Sequence, residues 1–162
     1  MALGAVVIGS GVAPAETGNA APRITAAGVG AVKLGALHAD LREQGLVGPI
    51  KPGCELGGPT TRSARLKPPL EGLVNYTRTK PRRVVDISIR GGAKARGVGI
   101  GAKIPAIKAA FPKAKVSHAT EQMFGIRLVR IPPDGGGRLQ FLVDTTTKRT
   151  TQIAVPRIAF CE

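Results

Sequence analysis

Aromatic side chains are nearly missing from this chain, with no Trp, one Tyr and four Phe in 162 residues. A core must therefore be aliphatic, and the surface has few of the large rings that tight interfaces and base-stacking sites use. Acidic residues are scarce as well: 10 Asp and Glu stand against 24 Lys and Arg, for a net charge of +14. A field of that sign favours anionic partners and says nothing about fold. The two histidines, His38 and His118, have no neighbouring ligands at metal-site spacing, so neither a metal nor a cofactor is expected. Scattered carboxylates such as Asp40, Glu43, Glu55 and Glu121 make no pair suited to acid–base work. Ser10, Ser63, Ser88 and Ser117 occupy no nucleophile-elbow pattern, and the chain is expected not to be an enzyme. No apolar run reaches the ~20 residues of a membrane span.

What the chain has is an internal correspondence at an offset of 66 residues. Val32-Lys33-Leu34-Gly35-Ala36 aligns with Val98-Gly99-Ile100-Gly101-Ala102, Leu41 with Ile107, and Leu73 with Leu139. Thr79 aligns with Thr145, Arg83 with Arg149, and Ile87-Ser88-Ile89 with Ile153-Ala154-Val155. Correspondence in order and without a gap predicts a tandem duplication. The expected fold class is α+β, each unit a short helix followed by an antiparallel β-meander, with both helices on one face of the sheet.

The segments divide accordingly. Residues 1–15 carry no charge, include Ala-Val-Val-Ile at 5–8 and end Ala13-Pro14-Ala15, which reads as a signal-peptide-like segment with an A-x-A site. Residues 16–23 read as a flexible lead-in, 24–91 as the first unit and 92–162 as the second. In the first unit a helix is expected near Ala36–Gln44, stopped by Gly45. An irregular Gly- and Pro-rich stretch follows from Val47 to Lys67. Strands are then expected over Leu73–Arg78 and Arg83–Arg90, joined by a hairpin at Thr79-Lys80-Pro81. Alternation in the latter puts Val85, Ile87 and Ile89 on one face and Asp86, Ser88 and Arg90 on the other. The second unit predicts a helix at Ile104–Phe111, with Pro105 in its first turn and Pro112 at its end. Strands are expected over Phe124–Ile131, Leu139–Asp144 and Thr150–Pro156.

Two motifs bear on chemistry. Gly97-Val98-Gly99-Ile100-Gly101-Ala102 matches a dinucleotide-binding fingerprint in letters only. The fingerprint requires a parallel strand directly before it, and these strands read as hairpins. From Arg78 to Lys115, eleven Lys or Arg face a single acid, Asp86. Arg82, Arg83, Lys94, Arg96 and Lys103 are the candidate anion-binding residues, some flanking the N-terminus of the second helix. The competing reading is a solvated basic face.

Cys54 and Cys161 are the only cysteines, and in an oxidising compartment an isolated pair most simply forms one disulfide. Closing a loop of that length could contribute up to ~4.7 kcal/mol. Two buried thiols in a cytosolic protein are the alternative.

Gly30-Ala31-Val32-Lys33-Leu34-Gly35-Ala36-Leu37-His38-Ala39-Asp40-Leu41-Arg42 resembles the opening motif of a class of exported modules, in which an apolar-x-apolar-Gly element leads into a short helix. Beta-lactamase-inhibitor-like proteins carry it in tandem, and small lipoproteins of the outer-membrane assembly machinery carry it singly. The chain also resembles exported proteins of GC-rich Gram-positive bacteria. The resemblance implies the tandem helix-plus-meander architecture. The aromatic concave face of the inhibitors has no counterpart here, and Ala36-Leu37 and Ala102-Lys103 replace their Met-Thr or Met-Ser.

The function expected from these readings is that of a secreted, non-enzymatic protein acting at or outside the cell envelope. Its expected partner is an anionic polymer, an anionic lipid surface or an acidic protein. The alternatives are an inhibitor of an extracellular hydrolase and a basic nucleic-acid-binding protein.

Overall fold

The computed structural model describes residues 21–54, 58, 60–133 and 138–160. The signal-like segment 1–15 and Cys161 lie outside the described residues. Among the described residues no helix is long and apolar enough to cross a membrane.

The fold is α+β, dominated by antiparallel strands. A small three-stranded sheet comes first: β1 (Ile24–Thr25), β2 (Gly28–Val29) and β3 (Val32–Lys33). Helix α1 (His38–Glu43) is followed by β4 (Lys51–Pro52), β5 (Arg62–Arg65), β6 (Glu71–Tyr76) and β7 (Val84–Gly91). Helix α2 (Ile104–Ala110), β8 (Lys115–Ser117), α3 (Glu121–Phe124), β9 (Ile126–Ile131), β10 (Leu139–Asp144) and β11 (Thr150–Val155) complete the chain. Strands β4 to β11 form one eight-stranded sheet in the order β4-β5-β6-β7-β11-β10-β9-β8. At its centre β7 and β11 run antiparallel, Ile87 opposite Val155 and Ile89 opposite Ile153.

Local chemistry explains the helix ends. Gly45 takes φ +72°, so its amide and that of Leu46 turn back to the carbonyls of Arg42 and Leu41 at 3.0 and 2.9 Å. This is how a left-handed glycine satisfies the last carbonyls of a helix. Pro105 sits in the first turn of α2, where its missing N–H costs nothing, and Pro112 stops the helix. The turns leading into the two helices carry the same bonds. The amides of Gly35 and Gly101 donate to Val84 and Thr150 carbonyls, both at 2.8 Å. In return Val84 and Thr150 donate to Ala36 and Ala102 at 2.9 and 2.8 Å.

One face of the large sheet carries Val74, Tyr76, Ile87, Ile89, Phe141, Val143 and Ile153. Against it pack Leu41 of α1, Ile107 of α2, and Ile24, Val29 and Val32 of the small sheet, as one aliphatic core. The opposite face holds a smaller cluster of Leu128, Leu142 and Ala154. It is covered by Ile158 from the segment after β11, whose amide donates to Gln140 Oε1 at 2.9 Å.

Three expectations need correction. The stretch Val47–Lys67 is not wholly irregular, because β4 and β5 lie inside it and pair with each other and with β6. Phe124 belongs to α3, and β9 starts two residues later. The alternation in β7 breaks at Val85: the register shifts between Asn75 and Tyr76, so Tyr76 faces Val84 while Asn75 faces Asp86. The extra residue is a β-bulge, which moves Val84 into the core (3% exposed) and turns Val85 outward (43% exposed).

Candidate functional site

The five cations singled out from sequence separate in space. Arg82 and Arg83 follow the β6–β7 turn and serve the fold. The Arg82 guanidinium donates to the carbonyls of Thr77, at 2.7 Å, and Arg78. That of Arg83 donates to the Gly35 carbonyl at 3.1 Å. Lys103 is the N-cap residue of α2 and lines a small groove with Arg127, Lys148 and Asp144. The backbone N–H and hydroxyl of Thr147 hold the Asp144 carboxyl below its usual range, so this groove contains a carboxylate.

Lys94 and Arg96 do come together. They line a cleft of about 670 Å³ with Arg23, Thr25, Phe111 and Leu139, and no carboxylate lines it among the described residues. The backbone fixes both cations. Arg23 and Lys94 are partners in a parallel bridge, with the Ile24 amide donating to the Lys94 carbonyl at 2.8 Å. Ala95 and Val98 exchange bonds of 2.8 and 2.9 Å around a two-residue turn of Arg96 and Gly97. Both turn residues have positive φ, +47° for Arg96 and +82° for Gly97. Glycine adopts this geometry freely, whereas an arginine is strained in it. The strained backbone aims the Arg96 side chain over the Phe111 ring, with the guanidinium carbon 5.0 Å from the centroid. Phe111 rests on the buried Phe141 at 5.8 Å. Arg96 also reaches the Ala110 carbonyl at 3.4 Å, so it stands at the C-terminal end of α2, and of the five candidates Lys103 is the one at the helix N-terminus. A cation at that end matches the helix dipole.

Sequence reasoning missed Arg23 and Phe111. Arg23 lies 71 residues before Lys94, and only the strand bridge brings the two together.

The other polar groups are engaged locally. The Asp86 carboxyl accepts from Asn75 Nδ2 at 2.6 Å, and burial pushes its pKa upward against the Asn75 bond and the nearby Arg157 charge. His38 Nε2 lies 3.1 Å from the Gly48 carbonyl, with its ring edge-on to Tyr76. Glu121 binds Arg127 at 2.5 Å and His118 at 2.6 Å, and these two bonds pull its pKa down to about 2. No group of three His, Cys, Asp or Glu suited to a metal occurs among the described residues. The Cys54 Sγ lies 3.6 Å from the Phe160 carbonyl oxygen.

Comparison of the chain with protein-family models, curated proteins and solved structures finds no match in any of the three.

Proposed function

We propose that this chain is a secreted, non-enzymatic binding protein that acts at or outside the cell envelope on an anionic partner. The observation that carries the reading is the cleft of Arg23, Lys94 and Arg96, which places three cations together with no neutralising carboxylate among the described residues. Holding such charges side by side costs stability, and an anion removes that cost. The strained Arg96 backbone points the same way, because backbone strain concentrates at working surfaces.

The proposal includes the architecture. Units 24–91 and 92–162 arise by duplication, each a helix with an antiparallel meander, and both helices pack on one face of the sheet. Support comes from bonds that recur 66 residues apart: Arg83 to Gly35 at 3.1 Å and Arg149 to Gly101 at 3.0 Å. The two-residue turn at 96–97 likewise corresponds to the turn between Val29 and Val32. A Cys54–Cys161 disulfide is also proposed, supported by the position of Cys54 Sγ beside the residue preceding Cys161.

The inhibitor reading has one supporting feature, the exposed stack of Phe124 on Phe160 at 6.0 Å beside exposed Met123. Salt separates the two readings. Retention on an immobilised sulfated polysaccharide should fall steeply with added salt, and the Lys94→Gln/Arg96→Gln double variant should elute at lower salt, with a salt slope shallower by about two units. Unchanged elution of that variant would remove the cleft from the account.

A further inference from the structure

A second basic cleft lies on the other face of the same end of the large sheet. It has a volume of about 690 Å³ and is lined by Lys115, Arg130, Arg138, Gln140 and Arg157. Strand alternation puts it there: Val129, Ile131 and Leu139 belong to the core face, so Arg130 and Gln140 point to the opposite one. Here too no carboxylate lines the cleft among the described residues. Lys115 stands directly opposite Arg130 in the β8–β9 register, where like charges repel. The first cleft repeats this arrangement in its Arg23–Lys94 bridge. Ile131 and Pro132 line both clefts, so the two meet at the end of β9.

We infer that the partner is a linear, base-free phosphate polymer that wraps around this end of the sheet and occupies both clefts. The inference rests on the anion-binding reading and names its ligand. Seven cations divided between two faces cannot converge on one small anion, and a rigid acidic surface cannot follow the turn between them. A thin, flexible chain can do both. Five of the seven are arginines, whose planar forks match phosphate oxygens in pairs. Bases would need an open ring to stack on, and the one ring in either cleft, Phe111, has the Arg96 guanidinium over its face.

The test measures binding of long-chain inorganic polyphosphate to the full chain across a salt series. Orthophosphate, polyglutamate and oligo-dT of matched charge serve as competitors. The variants are Lys94→Gln/Arg96→Gln and Lys115→Gln/Arg130→Gln/Arg138→Gln, with thermal unfolding as the folding control. Polyphosphate should bind best, and orthophosphate should not compete. The salt slope should fall by about two units in the double variant and about three in the triple. The triple variant should unfold no earlier than the parent, because it removes a repulsive pair. A slope unchanged in the triple but reduced in the double overturns the wrapped path and leaves the anion-binding reading intact. Tighter binding of oligo-dT would assign the clefts to nucleic acid, and equal binding of polyglutamate would overturn the phosphate assignment. Failure of the parent chain to bind any of these polymers removes both readings.

Discussion

Replacing Val84 and Val85 by alanine, one at a time, asks where the hydrophobic face of β7 lies. Plain alternation assigns Val85 to the core with Ile87 and Ile89, whereas the bulge assigns Val84. Val84 is 3% exposed and its backbone bonds Gly35 and Ala36, while Val85 is 43% exposed. Each substitution removes two carbons, worth ~0.8 kcal/mol apiece when buried, with a further cavity cost where the surroundings cannot collapse. Val84→Ala should therefore cost about 2 kcal/mol. Val85→Ala should cost under ~0.5 kcal/mol beyond the loss of strand propensity that both variants share. At ~2–4 °C per kcal/mol for a chain of this size, the two melting temperatures should differ by roughly 3–6 °C. Urea unfolding with unchanged m-values measures both losses. Equal losses, or a larger one at Val85, would refute the bulge and the registry built on it.

Other outcomes follow from the same structure. Tyr76 is the sole tyrosine, and burial pushes its pKa from 10.0 up to about 12. Its folded pKa is raised, so its contribution to stability is present below pH 10 and lost as pH rises through 12. An absorbance titration should show phenolate only near pH 12, and a midpoint near 10 would contradict its burial. Arg83→Met and Arg149→Met should each destabilise by about 0.5–1 kcal/mol and by matching amounts, as the duplication reading requires; one large and one negligible loss would count against it. Cys54→Ser should lower stability by up to ~4.7 kcal/mol if the proposed disulfide closes the chain, and a variant as stable as the oxidised parent would exclude the bond.

Much of this was legible in the residues and some was not, for physical reasons. Gly45, Pro105 and Pro112 mark helix ends through local backbone chemistry, so α1 and α2 fall within two residues of expectation. Leu139, Phe141 and Val143 alternate cleanly, and β10 matches its expected bounds. β5 has no such pattern. Its Arg-Ser-Ala-Arg becomes a strand because Ser63 and Ala64 meet Asn75 and Val74 on β6. The bulge at Val85 is likewise a property of a strand pair and not of one strand. At the site, Lys94 and Arg96 stand out in a basic run, and Lys115 closes it. The partners Arg23, Arg130 and Arg138 join them only through long-range pairing. The charge excess was thus visible before its geometry was.

The most direct test of the account is a map of backbone amide shifts in the labelled chain as polyphosphate is added at moderate salt. The wrapped path requires shifts to gather at Arg23, Lys94–Gly97, Lys115–Ser117, Arg130–Ile131 and Arg138, around the end of β9, and to saturate together. Shifts centred instead on Arg82, Arg83 or Lys148, or spread evenly over the basic residues, would contradict it.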